Sequence, residues 1–260
     1  RVEDFGIRPA LDGRNRFPAE VLLLVAGVDT QDDRFEAVLW GFGETENFLI
    51  DHHVIWGDPA DSVTQAELDT YLSTKWVHPN GWNIGIEAVA VDSQGHKTQA
   101  VYDFCRPRLA RRFHAIISRV GPRHLWVPAK KPMKDGTRLS IVGHDGIKTL
   151  VLQHLALPMA DEAGDPVVGR CRFSADLETE TFEQLAGEKR TVRYVRNRPV
   201  PEFKRTKPGQ PVEALDATCY AWALRSSLKI NFAERRARRG SGPAQQKSFG
   251  DFSALLNKGK

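Results

Sequence analysis

Cysteine and methionine are scarce in this chain of 260 residues, at three and two. Cys105, Cys171 and Cys219 lie far apart, with no CxxC pair and no regularly spaced histidines, which excludes a zinc finger or ribbon and a disulfide scaffold. They are expected as small core hydrophobes in a reducing compartment. Long apolar runs are missing too. The longest, Val21 to Ala26, is far short of the roughly 20 residues that cross a bilayer, so a soluble chain is predicted. No internal repeat is visible. "GHKT" at 95–98 and "GHDGIKT" at 143–149 look like phosphate loops. Neither has the GxxxxGK[ST] spacing that lets backbone amides encircle a triphosphate, so no ATP site is predicted. The first residue is Arg and no secretory leader follows; the chain reads as a fragment of a longer one.

What is present is ordinary in amount and uneven in placement. Hydrophobic residues at 41% and charged residues at 27% are globular values, enough for one large or two small domains. The net charge of +4 is mostly a property of the end: 232–260 holds seven Lys or Arg against two acids, leaving the first 231 residues at −1. Inside the folded part, 105–138 carries ten basic residues against one acid and 189–207 carries eight against one. Such runs also serve as solvated faces, but their alternation with acid-rich stretches suggests a basic surface beside acidic sites, as a polyanion-handling enzyme needs.

The periodicities predict an α/β chain. Val21 to Asp29 is a continuous apolar run ending in polar residues, the pattern of a strand buried on both faces. Arg34 to Phe42 and Asn47 to Trp56, separated by "GETE", read as an antiparallel hairpin. Thr64 to Trp76 has helical spacing with Thr64 as a cap and Glu67 three residues on. Ile84 to Val91 is a fourth strand running into Asp92, Thr98 to Arg112 a helix, and His114 to Val120 a fifth strand. This order describes a mixed sheet with helices packed on it. From 121 to 146 a surface excursion is expected. Helices follow at 147–157 and 178–187, with a short strand at 171–173 between them. Three prolines in 190–210 argue against regular structure there. Glu213 to Leu228 is a helix with Leu215, Cys219, Trp222 and Ala223 along one stripe. Residues 1–19 read as a linker, 20–231 as the folded domain, and 232–260 as a flexible basic tail. Within that tail Phe249, Phe252, Leu255 and Leu256 fall close to one helical face.

Three acids stand out. Asp29 ends the first strand, Asp92 ends the fourth, and Asp216 lies in the first turns of the last strong helix, with Glu213 one helical step before it. Each alone also fits a turn or capping role. On parallel neighbouring strands crossed by a helix they can converge, and oxygen donors of this kind suit Mg²⁺, held by one or two carboxylates plus substrate phosphate. Two ions about 4 Å apart orient a water and stabilise the departing oxygen of a phosphodiester. His52 and His53 are adjacent on a strand and face opposite ways, so they cannot share a metal. His96 and Lys97 follow Asp92 closely and are candidates to touch phosphate, with a plain loop role open. Arg196, Arg198, Lys204 and Arg205, in the second basic run, are candidate DNA contacts.

"AGVDTQDDRFEAVLWGFG" (26–43), "GDP" (57–59), "AVDSQGHKTQAVYDFC" (90–105) and "VEALDATCYAWAL" (212–224) together resemble the successive motifs of the nuclease half of the large terminase subunit of tailed phages, lambda-like GpA type. The order and spacing match across roughly Val21 to Leu228. One departure is Val212, where the family often carries Asn before "EALD". The resemblance implies an RNase H-like fold, a mixed β-sheet with helices on both faces, preceded by an ATPase half to which 1–19 would lead. It implies an endonuclease that cuts concatemeric viral DNA during genome packaging in the host cytoplasm, absent from or transient on the mature virion. It assigns Asp29, Asp92 and Asp216 to metal-ligand positions, which with the reading of the acids above predicts two Mg²⁺ or Mn²⁺ ions and Glu213 as an alternate or outer ligand. Expected partners are double-stranded DNA, the terminase small subunit, and the capsid portal through the C-terminal tail, with no membrane. A resolvase or transposase-type nuclease on the same fold, and a non-catalytic DNA- or portal-binding module, are the alternatives.

Overall fold

The computed structural model describes residues 2–13, 15–195 and 197–240. The chain runs through β1 (Val2–Glu3), β2 (Leu23–Thr30), β3 (Arg34–Phe42), β4 (Asn47–Trp56), α1 (Ser62–Leu72), β5 (Lys75–Val77), β6 (Asn83–Asp92), α2 (Thr98–Cys105), β7 (Phe113–Arg119), β8 (Trp126–Pro128) and β9 (Leu139–Gly143). It continues through α3 (His144–Leu155), β10 (Cys171–Ser174), α4 (Thr179–Leu185), β11 (Glu188–Val195), β12 (Arg198–Arg205), α5 (Glu213–Ser227) and α6 (Phe232–Gly240).

The first apolar run becomes the centre of the sheet because every residue of β2 is buried, as a strand covered on both faces must be. β2, β3 and β4 form an antiparallel meander. β6 then returns parallel to β2 on its other side, and β7 lies parallel to β6. The whole sheet has ten strands in the order β1, β10, β4, β3, β2, β6, β7, β9, β8, with β5 paired to β6. A meander extended by parallel strands through helical crossovers is the RNase H-like arrangement expected.

Helices cover both faces. α1 and α2 supply Leu68, Leu72, Val101 and Phe104 to one core layer, and α3, α4 and α5 supply Ile147, Leu185 and Leu215 to the other. α5 carries more than a stripe. Every residue from Ala214 to Leu224 except Asp216 is buried, because α3 and α4 pack over the side that the sheet leaves open. The three cysteines are buried free thiols.

Several boundaries differ from expectation for local reasons. The cap of α1 is Asp61, whose carboxylate accepts the Val63 N–H at 3.0 Å, and Trp76 belongs to β5. The predicted surface excursion at 121–146 holds β8 and β9, with β9 extending the sheet parallel to β7. The proline-containing stretch after Lys189 is an antiparallel ribbon of β11 and β12. Pro199 and Pro201 both lie in β12, two positions apart, so their backbone nitrogens fall on one edge, and a two-stranded ribbon has an open edge that needs no N–H donor. Within 1–19, expected as linker, several residues lie against the domain: β1 pairs with β10, Phe5 and Phe17 are buried, and Arg16 meets Asp176 at 2.5 Å. The start of the expected tail is α6, which Arg235 fastens to Glu87 at 2.6 Å. The Phe249 to Leu256 stripe lies outside the described residues.

Candidate active site at the sheet edge

Parallel pairing of β2 and β6 runs in register to Val28 opposite Val91, so Asp29 and Asp92 are each the next residue on adjacent strands. Side chains alternate along a strand. Val25 on β2, with Ala88 and Ala90 on β6, faces the core beneath α5, and Asp29 and Asp92 therefore point to that same face. The Thr30 hydroxyl donates to the Asp92 carbonyl at 2.7 Å, tying the two strand ends together. Both acids are nearly buried.

α5 brings the third acid. It crosses β2 so closely that a Cβ added at Gly27 would sit 1.8 Å from the Ala217 carbonyl oxygen, so only glycine lets the backbones meet here. Asp216 is the neighbour of Ala217, and Glu213 lies three residues earlier on the same helix. The charges feel one another. Burial, then the charges of Asp92 and Asp216, hold the Asp29 carboxyl well above its ordinary range, with a smaller push from Glu213 and opposition from the Gln31 amide, which donates to it. Burial and the Asp216 charge raise Asp92 to about 7, although the Gln94 N–H and the Tyr220 hydroxyl donate to its carboxylate.

Among the described residues no three His, Cys, Asp or Glu side chains form a preformed metal-ligating group. What neutralises Asp216 is a lysine. Lys148 of α3 is buried, with its Nζ 2.7 Å from Asp216 Oδ1 and 2.8 Å from Glu188 Oε2. Burial works against its charge, but Asp216 and Glu188 hold the ammonium above its ordinary range. Sequence reasoning passed over Lys148 after discounting "GHDGIKT" as a phosphate loop. The available signal was a lysine on the inward stripe of a helix, beside Ile147 and three residues before Val151, both of them buried.

A second addition is Arg34. Its Nε lies 2.6 Å from Glu36, the direct cross-strand partner of Asp29, and its guanidinium reaches to 3.9 Å from Glu213. Glu36 is buried and also meets His52 at 3.2 Å. His53 stacks on Tyr71 of α1, on the opposite face, as adjacent strand residues must.

The remaining sequence candidates spread around this edge. Exposed His96 lies 3.0 Å from Asp32 in the loop after β2, and Lys97 lies 2.7 Å from Asp58. Arg198, Lys204 and Arg205 lie on the ribbon, all of them exposed, and Lys204 lies 3.1 Å from Glu202; Arg196 lies outside the described residues. Glu188 at the foot of β11 ties that ribbon to Lys148 and hence to the acids. Three arginines of the first basic run are paired with acids: Arg106 meets Asp103 and Asp135, and Arg108 and Arg111 share Asp69.

A mixed sheet of this order, with acids on two adjacent parallel strand ends and on a helix crossing them, defines an RNase H-like nuclease type of domain. The chain belongs to the family of terminase large subunit gpA endonuclease domains, whose family model matches residues 1–238. It is 28% identical over 222 residues to the terminase large subunit of Escherichia phage lambda, covering 83% of this chain and 33% of that protein. To the terminase large subunit of Enterobacteria phage P21 it is 29% identical, covering 82% and 34%. The chain thus spans about a third of the length of the curated relatives it matches. Among solved structures it aligns with the g2p large terminase nuclease domain of bacteriophage SPP1 with bound Mn at a TM-score of 0.41 and 15% identity, covering 86% of this chain and 96% of that one.

Proposed function

We propose that this chain is a divalent-metal-dependent DNA endonuclease that cuts concatemeric viral DNA during genome packaging in the host cytoplasm. The observation that carries the reading is the convergence of buried Asp29 and Asp92 with Asp216 and Glu213, the last three each raising the proton affinity of Asp29. Buried carboxylates that repel one another gain most from a cation. The donors are all oxygen, which suits Mg²⁺ or Mn²⁺ over softer metals.

Asp29, Asp92 and Asp216 are the ligands of two such ions in this reading, and Glu213 is an alternate or outer ligand. When bound, the ions supply an activated water and charge stabilisation for the departing oxygen. The rigid strand ends hold Asp29 and Asp92 in fixed orientation. Tyr220 and the Gln94 N–H restrict the Asp92 carboxylate from behind. Arg34, Lys97, Arg198, Lys204 and Arg205 are the positive charges for the DNA backbone in this reading, with His96 as a further contact and Arg196, outside the described residues, as another. The small subunit as the source of site choice, an upstream ATPase half, and the portal as a partner of the tail complete the proposal. No described helix is long and apolar enough to cross a membrane.

Plasmid nicking by the 260-residue chain tests the proposal. Nicking should require Mg²⁺ or Mn²⁺, stop with chelator and proceed without ATP. Asp29→Ala should abolish it while circular dichroism and DNA affinity stay near wild type. Wild-type rates in Asp29→Ala, or a requirement for ATP, would contradict the reading.

A further inference from the structure

Lysine is almost never fully buried unless paired, and Lys148 is paired twice. It shares the buried side of α3 with Ile147 and Val151, and only 2% of it is exposed. Phe203 of β12 closes over it with its ring centre 5.9 Å away. Three elements thus meet at one nitrogen: α3 carries it, α5 offers Asp216, and the ribbon offers Glu188 and Phe203. Two carboxylates share a single positive charge. Asp216 is the more exposed of them, at 28% against 12% for Glu188, and its charge is the one felt at Asp29 and Asp92.

We infer that Lys148 is a positioning residue of the acidic site: its ammonium holds the Asp216 carboxylate in the absence of a divalent cation and competes with that cation for the same charge, while Glu188 sets how strongly it competes. The inference rests on the metal-dependent reading above. A positive charge 2.7 Å from a carboxylate lowers the affinity of that carboxylate for a second cation, and a neighbouring negative charge raises it. Removing Lys148 and removing Glu188 therefore shift cation affinity in opposite directions. A merely structural ion pair would shift neither, or would weaken both through loosened packing.

Titration of the full chain with Mn²⁺, with free Mn²⁺ read by electron paramagnetic resonance, separates these outcomes. Lys148→Met, which keeps the stem and removes the charge, should bind Mn²⁺ about tenfold more tightly, and Glu188→Gln about threefold more weakly. In an Asp216→Asn background the Lys148→Met effect should disappear. The nicking rate of Lys148→Met at saturating Mn²⁺ should fall despite tighter binding, because Asp216 is no longer held in orientation. Unchanged or weaker Mn²⁺ binding in Lys148→Met, with wild type binding normally, overturns the inference. If Lys148→Met does not fold, Lys148→Gln replaces it, and unchanged or weaker Mn²⁺ binding there overturns the inference. Wild-type chain that binds no Mn²⁺ at all removes the metal-dependent reading itself, a separate failure.

Discussion

At Asp92, burial and the charge of Asp216 place a carboxyl at about 7 that in an unfolded chain titrates near ~4. Between those values the folded state keeps a proton that the unfolded state has released. Stability of the metal-free domain should therefore be highest below the unfolded value, fall as pH rises toward 7, and level off above it. Asp29 is shifted in the same direction and adds to the slope. Asp92→Asn removes one of these charges, so in chelator it should unfold at the same denaturant midpoint as wild type at pH 4. At pH 8 it should gain on the order of 2 kcal/mol over wild type. Equal stability at pH 8 would mean that the carboxylate is better solvated than its burial indicates. The same variant should not nick DNA, so stability and activity part at a single residue.

At the scale of elements, the site depends on how closely α5 approaches β2. With the Ala217 carbonyl against Gly27, even one methyl forces helix and sheet apart. Gly27→Ala should destabilise the domain by about 1–3 kcal/mol, in the range of overpacked cores, and should weaken Mn²⁺ binding because Asp216 moves with its helix. Thermal unfolding and a Mn²⁺ titration on the same protein check both parts. The β11–β12 ribbon makes a different demand. Its exposed bases and exposed Tyr194 contribute to neither core layer, so their replacement should spare stability. Charge reversal of Arg198 and Lys204 together should weaken DNA binding uniformly across sequences and flatten its salt dependence by about two phosphate contacts. Unaltered salt dependence would return the ribbon to a solvated face.

At the scale of the whole molecule, the basic end divides into two parts. α6 is fastened to the sheet through Arg235 and Arg239 on Glu87, at the end of β2 where Leu22 accepts from both arginines, opposite the end that carries Asp29. Residues beyond 240 lie outside the described structure, and the proposal that the stripe from Phe249 to Leu256 meets the portal is tested by deletion. Deleting Ser248 to Lys260 should leave plasmid nicking unchanged and abolish DNA packaging or portal association in a packaging assay. Loss of nicking on that deletion, or packaging that survives it, would assign the tail another job.

Local sequence determined the elements whose signal is local. The hairpin strands β3 and β4 match their runs of β-branched and aromatic residues end for end, and α5 begins where Glu213 follows a proline-marked turn, because these signals lie within a few residues of one another. The acids at the tips of β2 and β6 were legible for the same reason: each closes an apolar run. The β11–β12 ribbon was not legible, because prolines that exclude a central strand are harmless on an open edge. β9 was hidden because a five-residue strand inside a Pro- and Gly-rich stretch is stabilised by its neighbour β7 rather than by its own pattern. Only the tertiary structure decided that Lys148 reaches Asp216, since α3 and α5 are separated by a long stretch of chain and meet through packing. The types and order of residues determined which groups the chain carries; the close approach of α5 at Gly27 and the burial of Lys148 decided which of them share one electrostatic environment.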